Sequence, residues 1–144
     1  MIIKSAVYSP DSAAFVTASL GLTVQVWDAL TGECTLTLSG HLSGVHRAVF
    51  SPDGKSILTA SGDNTAKVWD AETGECRLTL VGHPRGLECA AYDADAVSIV
   101  TASKDGTAKV WDALTGECKL TLVGHGQREG YTTGCQVNCA SFEP

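Results

Sequence analysis

The chain has 144 residues, 44% hydrophobic and 18% charged, which suits one folded domain with a real core and excludes a disordered or fibrous chain. Its net charge is −6, with ten scattered Lys and Arg, so neither nucleic acid nor an anionic membrane is an expected partner. No apolar run approaches the roughly 18 residues of a membrane-spanning helix, and the opening MIIKSAVYS reads as a first strand, not a signal peptide.

From Ile3 onward the sequence is repetitive. The first unit, 2–39, carries Thr17, Gly21 and Trp27-Asp28, then WDALTGECTLTLSGH through His41. The second unit, 44–81, shows the pattern most clearly. Val45 to Phe50 is a β-rich run closed by Ser51-Pro52-Asp53-Gly54, where Pro fixes φ, Asp bonds locally and Gly accepts a positive φ. Ser56 to Ser61 makes a second strand and Gly62-Asp63-Asn64 a turn. Ala66 to Asp70 makes a third strand, Glu72-Thr73-Gly74 a turn, and Cys76 to Leu80 a fourth strand. Four short strands with tight turns predict an antiparallel meander, and apolar residues on both faces suit a sheet packed between two others.

The third unit, 86–123, repeats this with WDALTGECKLTLVGH. Eight extra residues then enter a loop at 126–136, and an opening strand at 137–142 begins a fourth unit. Trp27, Trp69 and Trp111 are spaced by 42 residues, each followed by Asp, and Gly-His pairs at 40–41, 82–83 and 124–125 keep the same interval.

This period, with one Trp-Asp and one Gly-His per unit, closely resembles the WD-repeat family. The resemblance covers essentially the whole chain. It implies an all-β fold of β-propeller blades, each a four-stranded antiparallel meander, here an incomplete propeller of three blades plus one strand. It also implies a hydrogen-bond relay within each complete unit: His41, Thr59, Asp63 and Trp69 in the second, His83, Thr101, Asp105 and Trp111 in the third. Asp accepts from His, His bonds the strand hydroxyl, and the hydroxyl meets the indole N–H. Ser61 and Ser103, on the same strand faces, are the alternative hydroxyls. Burying these groups unpaired costs about 1–3 kcal/mol each, so a satisfied network fixes blade geometry. No GxSxG motif accompanies the His, Thr and Asp, and the set recurs as scaffold elements do; catalysis is therefore not expected. The first unit has Gly21 where Asp belongs and no preceding Gly-His, so its relay is incomplete and it should be the least rigid.

The resemblance implies recognition of other proteins or peptides through loops at one rim. Variable positions there are the candidates: Lys4, His46, Arg85, Glu88 and Lys104, with Arg128, Tyr131 and Asn138 around the insertion. His46 is also read as a solvated strand-end residue. Cys34, Cys76 and Cys118 share one repeat position and Cys89 and Cys139 another, so they sit on different blades, too far apart to bridge. Free thiols point to a reducing compartment, cytoplasm or nucleus, and without a CxxC pair no metal is expected. No cofactor is expected either.

Three blades and a strand cannot close the usual ring of 4–8 blades. The start and stop at equivalent repeat points favour a fragment of a longer protein, so the alternative to a scaffold is an assembly module that works only within a larger closed propeller or as the recognition domain of a multidomain enzyme. Self-association of two copies into a ring comes second, and pairing with another repeat protein is the remaining alternative.

Overall fold

In the computed structural model, which describes residues 1–123, the chain forms three four-stranded antiparallel sheets that do not close into a ring. Blade one comprises β1 (Ile3–Tyr8), β2 (Ala14–Ser19), β3 (Thr23–Asp28) and β4 (Cys34–Ser39). Blade two comprises β5 (Val45–Phe50), β6 (Ser56–Ser61), β7 (Thr65–Asp70) and β8 (Cys76–Val81). Blade three comprises β9 (Leu87–Tyr92), β10 (Ser98–Ser103), β11 (Ala108–Asp112) and β12 (Cys118–Leu122). Each blade is a simple meander in strand order. No helix occurs among the described residues.

Local chemistry sets the turns. Between the third and fourth strands, the Asp after each Trp accepts two backbone amides. Asp70 Oδ1 takes Glu72 N at 2.8 Å and Thr73 N at 2.9 Å, and Asp28 and Asp112 do the same. Those amide bonds hold the Asp28, Asp70 and Asp112 carboxyls below the usual carboxylate range. Gly74 then turns with φ +77, a conformation that a Cβ disfavours. In the first turn of blade two, Ser51 Oγ donates to Asp53 at 2.6 Å and Gly54 supplies the positive φ. Blades one and three make the corresponding turn with Ser12 and Ala96 at φ 60 and 57, without glycine.

The core lies between sheets. Val16, Ala18, Val24, Val26 and Leu38 of blade one pack on Val45, Ala48, Ile57 and Trp69 of blade two. Leu58, Ala60, Ala66, Val68 and Leu80 of blade two pack in the same way on Leu87, Ala90, Ile99 and Trp111 of blade three. Alternation along each strand explains the division, since Ile57 faces one neighbour and Leu58 the other. Burying each large side chain contributes about 1.5–3 kcal/mol, so these two layers supply most of the stability.

Candidate functional site

The relay forms in the two units that carry all four residue types. In blade two, His41 Nδ1 lies 2.8 Å from Asp63 Oδ2 and its Nε2 lies 2.6 Å from Thr59 Oγ1. Trp69 Nε1 donates to the same hydroxyl at 2.9 Å. Blade three repeats this with His83, Asp105, Thr101 and Trp111 at 2.7, 2.8 and 2.9 Å. Strand register explains the Thr–Trp spacing. Ile57 pairs with Trp69 and Thr59 with Lys67, so Thr59 and Trp69 are diagonal neighbours on one face.

Burial acts to raise the Asp63 carboxyl, but the Thr65 hydroxyl, the Leu42 amide and the His41 ring together hold it at about 2. Burial pushes His41 below its ordinary value despite the Asp63 carboxylate. With His41 neutral, every proton is used: Nδ1–H to Asp63, the Thr59 hydroxyl to Nε2, and the indole N–H to Thr59. Thr59 and Thr101 have no exposed surface.

Ser61 and Ser103 stay out of the relay, correcting their reading as alternative hydroxyls. Ser61 Oγ bonds the carbonyls of Ser43 and Gly44 at 3.1 and 3.0 Å, and Ser103 bonds those of Arg85 and Gly86, both at 3.1 Å. They fasten the inter-blade linkers. In blade one, Trp27 Nε1 bonds Thr17 at 2.9 Å, and Gly21 offers no carboxylate to extend the relay.

The linkers and the turns between second and third strands converge on one rim. Gly62 N donates to Gly44 O and Lys104 N to Gly86 O, each at 2.9 Å. Adjacent blades approach so closely that a Cβ on Gly86 would lie 3.1 Å from Gly62 Cα. Three candidate residues reach this rim by one device. Lys4, His46 and Glu88 are each the extra residue of a β-bulge where the first strand meets the second.

The structure brings His46, Glu88 and Lys104 together. Lys104 Nζ lies 3.2 Å from Glu88 Oε1, and His46 Nδ1 lies 3.9 Å from Glu88 Oε2. His46 Nδ1 also approaches Leu87 O at 2.8 Å, so this half-buried ring bridges two blades and is not simply solvated. Arg85 is exposed on the linker beside them, and Lys4 is exposed at the blade-one end. Arg128, Tyr131 and Asn138 lie outside the described residues.

Two features escaped the sequence reading. Arg47, beside the β5 bulge, has a buried Nε without a hydrogen-bond partner. At the opposite rim a groove is lined by Asp53, Ser56, Arg77, Tyr92 and Leu114. Burial raises the Tyr92 hydroxyl to about 12 there. Arg77 reaches that rim as the extra residue of a bulge between β7 and β8, and pairs with Asp70. The only sequence signal was Arg77 standing where the other units carry Thr35 and Lys119.

Comparison with known proteins agrees with this geometry. No curated protein matches the sequence. A family model described as "WD domain, G-beta repeat" matches residues 32–70 and 74–112, together more than half of the chain. Each matched stretch runs from the outer strand of one sheet through the first three strands of the next, so the repeat ties adjacent sheets together. With its meander blades and the relay of the second and third units, the chain belongs to the WD-repeat family.

Proposed function

We propose that the chain is a non-enzymatic scaffold that binds protein or peptide partners through the rim carrying Lys4, His46, Arg85, Glu88 and Lys104. The carrying observation is the bulge at the start of each blade, which turns a different side chain, Lys4, His46 or Glu88, to that rim. The recurring His, Thr, Asp and Trp of the second and third units are committed to the relay, and the Thr59 and Thr101 hydroxyls are buried away from any substrate. WD repeats serve in general as interaction modules. By sequence, Arg128, Tyr131 and Asn138 belong to the same proposed surface. A reducing setting, cytoplasm or nucleus, is part of the proposal; the exposed unbridged thiols of Cys34, Cys76 and Cys118 support it.

Affinity capture from a cell extract, with quantitative mass spectrometry, tests this reading. The chain should retain a defined set of proteins, and a His46→Ala/Glu88→Ala/Lys104→Ala variant should lose that set while keeping the wild-type circular dichroism. An unchanged set on the folded variant refutes the rim.

A further inference from the structure

We infer that the open face of blade one is a docking surface for a second copy of this chain, which seats the Leu120–Leu122 edge of its third blade there.

The chain builds the relevant interface twice within itself. Leu36 and Leu38, from the outer strand of blade one, lie over Gly74. Their Cδ2 methyls sit 3.6 and 3.3 Å from where a Gly74 Cβ would stand. Leu78 and Leu80 lie over Gly116 in the same way, at 3.6 and 3.4 Å. The covered blade also contributes a buried tryptophan, Trp69 or Trp111, to the layer that holds Leu38 or Leu80. A Leu-x-Leu edge on a Gly-Trp socket is therefore the standing contact between blades of this chain.

Both halves of that contact also occur unpaired. On blade one, no atom lies within 4 Å of the corresponding point on Gly32, Ile3 is 64% exposed, and Trp27 is only half-buried. Phe15 and Thr17 complete an apolar groove beside Trp27. On blade three, Leu120 and Leu122 are 57% and 49% exposed, whereas Leu38 and Leu80 are each 1%. Val100, Ala102 and Ala108 of that blade are already buried, so the outer leucine pair is its unfilled part.

The chemistry fits a partner of the same kind. Gln25 stands on blade one where blades two and three carry Lys67 and Lys109, so the socket presents no charged side chain to desolvate. Exposed apolar grooves of this kind mark association surfaces. What this groove matches is a Leu-x-Leu outer strand in blade register, and the chain itself carries that strand at 120–122. The contact is head-to-tail, so two copies that satisfy both ends close on each other as a discrete dimer. The inference does not depend on the rim, because rim variants leave these faces intact.

Analytical ultracentrifugation over a dilution series of the full chain tests it. The expected result is a discrete species of twice the 15.0 kDa chain mass. Leu120→Glu/Leu122→Glu, and separately Ile3→Glu, change exposed side chains and should weaken the dimer at least about tenfold with circular dichroism unchanged. If the double variant fails to fold, Ile3→Glu alone decides. Association should also shift Trp emission to the blue, and Trp27→Phe should abolish that shift. A monomer at every concentration overturns the inference and leaves the groove to another polypeptide. A dimer untouched by the folded variants, or an open-ended polymer, overturns it as well.

Discussion

Replacing Thr59 by Val keeps the side chain's shape and removes the one atom on which the Trp69 indole and the His41 ring converge. Both partners are buried: His41 is 4% and Trp69 2% exposed, and Thr59 itself is fully enclosed. Neither gains water in exchange. Leaving a buried polar group unpaired costs about 1–3 kcal/mol, so two such groups, with some relaxation, predict a loss of about 2–5 kcal/mol. That is a large share of a typical domain stability of about 5–15 kcal/mol. Thr17→Val is the internal control. It removes a single bond to a half-buried indole, with no His41 equivalent attached, and should cost about 0.5–1 kcal/mol. Urea titration followed by circular dichroism and Trp fluorescence measures both. Equal costs at the two sites, or a Thr59→Val cost below about 0.5 kcal/mol, would refute the claim that the relay is a structural device.

Acidification should destabilise the fold through the same residues. The Asp63 carboxyl is depressed from 3.8 to about 2, so its contribution is complete above 3.8 and is lost as pH falls through that interval. His41, held below 6.5, contributes in the same sense: full above 6.5, lost as pH falls further. Asp63→Asn should therefore flatten the acid limb of a pH–stability curve by about 1–2 kcal/mol, and an unchanged limb contradicts this. Ala96→Gly should raise stability by about 0.5–1 kcal/mol in thermal unfolding, because it relieves a side chain at φ 57; a lower melting temperature contradicts it. Gly82→Ala should lower stability by about 1–3 kcal/mol, since its Cβ would stand 3.0 Å from Trp111 Cη2, and a neutral effect contradicts that packing.

Much of the fold was legible because its determinants are local. Turn chemistry at Ser51–Gly54 and Glu72–Gly74 and a tryptophan every 42 residues mark out strands without reference to distant contacts. The relay was legible because its members stand at fixed intervals in the pattern of a known family. Ser61 was harder. It shares a strand face with Thr59, and only the path of the linker decides that it meets Ser43 and Gly44 instead of the His41 ring. The half-burial of His46 likewise depends on where the neighbouring blade places Leu87 O. Bulges were invisible for the same reason, since the extra residue at Lys4, His46 or Glu88 exists only relative to a paired strand. The opposite-rim groove needs Tyr92 and Arg77 from different blades, and no spacing encodes that meeting.

Hydrogen exchange of the chain with and without a captured partner tests most directly whether repeated residues build the scaffold and variable ones bind. Protection is expected in the rim segments around His46, Arg85–Glu88 and Lys104, with no change at the relay strands that carry Thr59 and Thr101. Protection confined to the opposite rim, around Asp53, Arg77 and Ala96, would contradict it.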